Sequence, residues 1–192
     1  MKRKLGVITI GQAPRTDVVP EMVEYLGQNV EIIEKGALDG LSFEEIKNFY
    51  PEEDDSVLVS RLKDGRGVKL AKKHIIPRLQ DCIYDLEREG ADIILFICTG
   101  VFPEIFVSNK PLIYPQKILH SVVKNLINKG RLAVIIPDQD QVIQLKNKWE
   151  ETGLEVEVVA ASPYGKEAEL EEALSKLKGQ DLDLIVMDCI GY

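Results

Sequence analysis

Ala91-Asp92-Ile93-Ile94-Leu95-Phe96-Ile97-Cys98-Thr99-Gly100 and Leu182-Asp183-Leu184-Ile185-Val186-Met187-Asp188-Cys189-Ile190-Gly191 align without a gap. Asp, Ile, Cys and Gly coincide, and most of the other positions pair apolar with apolar. A second pair of stretches behaves the same way. In Leu5-Gly6-Val7-Ile8-Thr9-Ile10-Gly11-Gln12 and Leu132-Ala133-Val134-Ile135-Ile136-Pro137-Asp138-Gln139, the Leu, Val, Ile and Gln coincide. Each half of the chain therefore holds a first apolar strand that ends in a loop with Gln, and a later one that ends in Cys-x-Gly. The interval from Leu5 to Cys98 exceeds that from Leu132 to Cys189 by about the length of residues 37–71. Fixed-period self-similarity is the signature of a repeated unit. Buried parallel strands share Val and Ile for packing reasons alone, so the paired cysteines carry the argument further than the aliphatic residues do.

Working outward, six short runs are apolar on nearly every residue: Leu5–Ile10, Val30–Glu34, Asp92–Ile97, Leu132–Ile136, Leu154–Ala160 and Leu182–Met187. Such runs mark strands covered on both faces, as in a parallel sheet. Helical stretches lie between most of them. Thr16 or Asp17 is expected to cap a helix running to about Leu26, with Pro20 in its first turn. From Lys72 to Arg88 the residues Ile75, Ile76, Leu79, Cys82, Ile83 and Leu86 share a face. Ile118, Val122, Val123, Leu126 and Ile127 are expected to do so in the next helix. Asp140–Glu151 and Lys166–Lys178 complete the set, and Gly90, Gly130, Gly153 and Gly179 stand where helices should stop. One region breaks the rhythm. Ser42-Phe43-Glu44-Glu45 is a capping box, and Val57–Leu62, Lys63-Asp64-Gly65 and Arg66–Leu70 read as a β-hairpin turned at Asp-Gly.

The expected fold class is thus α/β, with two pseudo-symmetric lobes on mostly parallel sheets and a helix-plus-hairpin insertion in the first. The lobes are expected at residues 1–115, with the insertion at about 37–71, and at residues 116–192. A final strand in a parallel sheet calls for a covering helix, so a further helical segment is expected after Tyr192. Without one, an apolar face would be left for a partner chain or a dimer mate, and a homo-oligomer is one outcome.

Composition narrows the function. The chain has 192 residues, 45% hydrophobic and 29% charged, with 24 Lys+Arg against 32 Asp+Glu and a net charge of −8. A surplus of acid argues against nucleic acid or an anionic membrane as partner. Lys2-Arg3-Lys4 precedes too short an apolar run for a signal peptide, and no run reaches the length of a membrane span. Three cysteines at wide spacing form no disulfide framework. A cytoplasmic protein with free thiols is expected.

Cys98 and Cys189 each lie just past a strand, at the carboxyl edge where open α/β sheets bind ligands. A doubled unit would bring the two edges face to face, with one thiol on each wall of a cleft. A thiolate is a base and a nucleophile, and a thiol is an acid. Two of them can treat opposite faces of one carbon next to a carboxylate: one removes a proton, the other returns one. No cofactor is needed. Gly100 and Gly191 leave room for backbone N–H groups to approach a ligand. Gly11, Gln12, Arg15 and Thr16 follow the first strand and read as an anion loop, with Arg15 as a carboxylate clamp. The plainer reading is a strand-to-helix turn with an exposed arginine. Thr99 and Ser162 are candidate hydrogen-bond donors, as are Tyr164, Asp138 and Gln139. Asp188 would favour the protonated form of Cys189 unless it points away. Cys82 reads as a buried structural thiol, Trp149 as packing, and Pro51-Glu52-Glu53-Asp54-Asp55 as a solvated loop. His74 and His120 stand apart with no metal-ligand spacing, so no metal is expected.

This constellation resembles the aspartate/glutamate/hydantoin racemase superfamily, whose two lobes each supply a cysteine after a strand. A closer resemblance, over nearly the whole chain, is to the AroM family. It rests on Leu5–Gly11 with Pro14, Leu41–Ile46, Leu79-Gln80, Pro115–Leu119, Val134–Pro137 and Val186–Gly191. The resemblance implies a racemase-like fold and matches Cys98 and Cys189 to the racemase cysteine pair, with Thr99-Gly100 where racemases usually carry Asn-Thr. It implies a cofactor-independent racemase or isomerase that moves a proton at carbon on a small carboxylate-bearing molecule. Two rivals stand beside it. One is a non-catalytic metabolite-binding or regulatory protein linked to aromatic amino-acid metabolism. The other is a one-cysteine lyase or cis–trans isomerase.

Overall fold

The computed structural model describes residues 2–102 and 106–192. The chain divides between Pro115 and Gln116 into two compact units.

In the first unit, β1 (Arg3–Thr9) lies between β2 (Val30–Gly36) and β5 (Ile93–Phe96), and a two-residue β6 (Leu112–Ile113) extends the sheet. All four strands are parallel, in the order β2-β1-β5-β6. Leu5 pairs with Ile32 on one side and Ile93 on the other. Helix α3 (Lys72–Arg88) buries Ile75, Leu79, Cys82, Ile83 and Leu86, the face its spacing predicts. Gly6 permits that packing, because a Cβ there would stand 3.0 Å from Leu86 Cδ1 and 3.2 Å from Ala91 Cβ. Helix α1 (Val19–Leu26) follows β1. Helix α2 (Phe43–Lys47) starts at the capping box, with Ser42 Oγ accepting from the Glu45 N–H and Glu45 returning the bond to the Ser42 N–H. Strands β3 (Val57–Arg61) and β4 (Gly67–Ala71) form the antiparallel hairpin, with Gly65 at φ +90° in its turn.

The second unit has the order β8-β7-β9, with β7 (Arg131–Ile136), β8 (Glu155–Ala160) and β9 (Leu184–Met187) all parallel. Its central strand is buried on both sides. Leu132, Val134 and Ile136 meet Val123 of α4 (Pro115–Leu126) and Leu145 and Trp149 of α5 (Val142–Glu150). Ala133 and Ile135 point the other way, towards Ala173 and Leu177 of α6 (Glu167–Leu177). Alternate burial on both faces is what a continuous aliphatic run requires. Gly130, Gly153 and Gly179 adopt positive φ close to helix ends, as expected of glycine stops.

Three expectations need correction. The cap of α1 is Val18, with no side-chain cap hydrogen bond. Asp17 cannot serve because its carboxylate is engaged by the Arg15 fork, and Thr16 is exposed. Helix α4 buries His120 and Val123, with Leu119 and Ile127 beside them, whereas Ile118, Val122 and Leu126 are exposed. The helix is apolar on two stripes, so periodicity alone does not select the buried one. Finally, β6 has no sequence counterpart among the expected strands; two residues are too few to produce a pattern. Among the described residues no helix is long and apolar enough to cross a membrane.

Candidate functional site

The two Cys-x-Gly segments are built alike by short-range bonds. Before each strand an aspartate clamps the neighbouring strand: Asp92 Oδ2 accepts from the Lys4 N–H at 2.9 Å, and Asp183 Oδ2 from the Arg131 N–H at 2.8 Å. After each strand the ladder runs one bond further, Ile97 N–H to Ile8 O and Asp188 N–H to Ile135 O, both at 2.8 Å. Then the chain turns, and the glycine N–H folds back on the sulfur. Gly100 N–H lies 3.2 Å from Cys98 Sγ, and Gly191 N–H 3.4 Å from Cys189 Sγ. The registers agree as well, Leu5 with Ile93 in one sheet and Leu132 with Leu184 in the other. Both sulfurs are half-buried free thiols at carboxyl ends of strands. A backbone N–H aimed at sulfur favours the thiolate.

Their surroundings differ. Around Cys98 the hairpin closes in, since a Cβ on Gly100 would stand 3.1 Å from Leu58 Cδ2. Lys72, at the start of α3, is half-buried and within electrostatic reach of the Cys98 sulfur. Burial lowers the Lys72 pKa below the ordinary lysine value, and Cys98 draws it part of the way back. Sequence reading passed over Lys72. The signal was its place: a lysine opening a helix whose first turn holds no acid works against the helix dipole.

Around Cys189 the decisive neighbour is Asp188, which is 2% exposed and points into the helix layer. Its Oδ2 accepts from Lys148 Nζ at 2.9 Å and from Trp149 Nε1 at 2.7 Å. Lys148 is itself buried. The His120 ring lies tilted against the Trp149 ring, with centroids 4.1 Å apart. Burial, reinforced by the Lys148 charge, pulls the His120 pKa down to about 4, so the imidazole is neutral near pH 7. Asp188 is thus neutralised by Lys148 and fixes the start of the Cys189 turn. The sequence reading weighed Asp188 but gave Lys148 no role. On the other side Tyr192 donates to Ala161 O at 2.6 Å. Burial raises its phenol pKa, and the Cys189 and Asp188 charges add to the rise.

The loop after β1 is more occupied than its composition promises. Arg15 is buried, and its Nε and Nη2 each donate to Asp17 at 2.8 Å while Nη1 donates to Thr9 Oγ1 at 3.1 Å. Gln12 is buried too. It donates to Leu41 O at 3.1 Å and accepts from the Lys63 N–H at 3.3 Å, tying the loop to the hairpin. Gly11 permits the same approach, because a Cβ there would fall 2.2 Å from Arg61 O and 2.5 Å from Ser60 Oγ. Gly11→Ala is expected to push the hairpin off this loop at about 3 kcal/mol, the upper end of overpacking penalties. A urea-unfolding midpoint unchanged from wild type would refute that. Arg15, Thr16 and Asp17 also line a surface cleft of about 350 Å³ with Arg61, Lys63 and Asp64 of the hairpin turn. Neither cysteine lines it. Ser162 is half-buried and its Oγ accepts from the Tyr164 N–H at 3.2 Å, a local turn bond.

The remaining candidates are quickly placed. Cys82 is buried on α3, and burial pushes its thiol up to about 12. It is inert as a nucleophile near neutral pH. Among the described residues no group of three or more His, Cys, Asp or Glu side chains is arranged to hold a metal ion.

Parallel sheets flanked by helices make this an α/β protein. The chain belongs to the AroM family: the family's model, described as AroM protein, matches residues 5–192. No curated protein matches the chain.

Proposed function

We propose that this AroM-family protein is a cofactor-independent racemase- or isomerase-like enzyme that moves a proton at carbon on a small carboxylate, with Cys98 and Cys189 as its acid–base pair. The observation that carries the reading is the matched construction of the two turns. Each has an aspartate clamp before the strand, the same ladder bond after it, and a glycine N–H on the sulfur. Two pseudo-symmetric lobes, the first enlarged by the hairpin region, account for that match, and they favour the racemase-like superfamily as the relative. Coincidence of buried strands would account for the aliphatic residues but not for the bonds around the sulfurs.

In one direction, the Cys98 thiolate takes the proton from the carbon beside the carboxylate, and the C–H electron pair passes into the carboxylate as an enolate. The Cys189 thiol then delivers a proton to the opposite face. The product is the mirror-image centre, with one thiol protonated and the other ionised. Thr99 and Gly100 are the groups nearest Cys98 in the chain to hold the enolate oxygens. Arg15, held by Asp17, serves the loop rather than the substrate in this scheme, unless a ligand displaces Asp17.

The test is exchange. In heavy water, the wild-type protein is incubated with α-amino, α-hydroxy and 2-aryl carboxylates, and loss of the α-proton is followed by NMR. At least one class is expected to exchange. Binding of a carboxylate without exchange would support the non-catalytic, metabolite-binding reading instead.

A further inference from the structure

We propose that the cleft between the β1 loop and the hairpin turn binds a phosphate group, whether free inorganic phosphate or the phosphate of a small metabolite. Neither cysteine lines this cleft, so binding here does not depend on the thiol chemistry proposed above. Its two walls are tied together. Gln12 N–H donates to Arg61 O at 3.3 Å, Lys63 N–H donates to Gln12 Oε1 at 3.3 Å, and Gly11 lies so close to Arg61 O that no Cβ would fit. The concavity of about 350 Å³ is therefore preformed, at the small end of the range for ligand pockets, and it lies within one compact unit.

Three cations, Arg15, Arg61 and Lys63, line the cleft against two acids, Asp17 and Asp64. Both acids are engaged. Asp17 accepts from Arg15 Nε and Nη2 at 2.8 Å each, and its Oδ2 lies 3.5 Å from Arg61 Nη1. Asp64 is drawn off by Arg66, whose Nε donates at 2.9 Å and Nη2 at 2.6 Å, with the guanidinium braced 3.8 Å over the Phe43 ring. Glu34 takes the Arg15 N–H but does not line the cleft. Three positive charges thus share the lining with the one negative charge of Asp17, a balance that suits a dianion. A buried ion pair contributes little net stability, so Arg15 and Asp17 serve here as the fixed floor of a charged site. The shape of the donor set selects the anion. A carboxylate asks for a planar fork, and the Arg15 fork is spent on Asp17. Lys63 and the Thr16 hydroxyl are exposed single-point donors on opposite walls, which suits oxygens spread tetrahedrally around phosphorus.

Calorimetry on the full chain, at constant ionic strength and at a pH where a phosphate monoester is a dianion, uses three probes: inorganic phosphate, glycerol 3-phosphate and malonate. Saturable one-to-one binding of at least one phosphate is expected, tighter than that of malonate. Tighter glycerol 3-phosphate assigns the site to a phosphorylated metabolite, and tighter inorganic phosphate to the free anion. Lys63→Glu is expected to weaken binding about tenfold or more, the usual worth of a charge-assisted contact. Lys63→Arg is expected to keep it. Lys129→Glu makes the same change of net charge on an exposed residue of the second unit and should bind as wild type does. Absence of saturable binding for both phosphates overturns the proposal, and so does malonate that binds as tightly. Unchanged affinity in Lys63→Glu has the same force, as does an equal loss in Lys63→Arg or in Lys129→Glu.

Discussion

Lys148→Met is expected to remove about 3–5 kcal/mol from the stability of the second unit, the usual consequence of orphaning one member of a buried ion pair. Asp188 and Lys148 are both almost fully withdrawn from solvent, at 2% and 6% exposure. Taking away the ammonium leaves a carboxylate in the core with one neutral donor, Trp149 Nε1. The neighbouring imidazole offers little relief, since burial has already emptied it of charge. The double variant Lys148→Met/Asp188→Asn should recover most of the loss. The amide oxygen still accepts from Trp149, and no unpaired charge remains. Urea unfolding followed by tryptophan fluorescence reads this directly, because Trp149 is the sole tryptophan and sits in the network. Equal stabilities for wild type and Lys148→Met would show that the pair contributes nothing. A double variant no better than the single one would show that packing, not charge, is at stake.

The second large effect concerns turnover. On a carboxylate that the wild type exchanges, Cys98→Ser and Cys189→Ser are each expected to slow inversion of the carbon centre by about 10²–10⁴, the usual contribution of a general acid or base. Serine keeps the volume and the glycine N–H partner but is far too weak an acid to ionise near neutral pH. The two losses should not add in the double variant, because neither thiol completes the reaction alone. Inversion that continues undiminished in either single variant would remove that cysteine from the mechanism. Loss from Cys98→Ser alone would favour a one-cysteine lyase or cis–trans isomerase.

Local rules made much of this legible before any coordinates. Continuous aliphatic runs located all but the shortest strand of the parallel sheets. Ser42 and Glu45 announced their helix start, and Asp64-Gly65 announced the hairpin. What stayed hidden depends on contacts between distant residues. Lys148 sits on α5 among polar neighbours and reads as solvent-facing; only the fold brings Asp188 under it, from the far end of β9. The Arg15 clamp was open to a closer reading, because Asp17 stands two residues away and its fork-to-carboxylate match needs no tertiary structure. In α4, two apolar stripes compete on one helix, and the choice between them is made by the Trp149 ring and the sheet, not by the helix.

The touch between Gly11 and the carbonyl of Arg61 carries a corollary for descent. The smallest residue at that point and the two-stranded ribbon above it should be inherited as a pair. Where a lineage has discarded the ribbon, the constraint lifts, and bulkier side chains should accumulate at the vacated spot. A family tree on which those two traits drift independently would mean that the lock is looser than the ångströms imply.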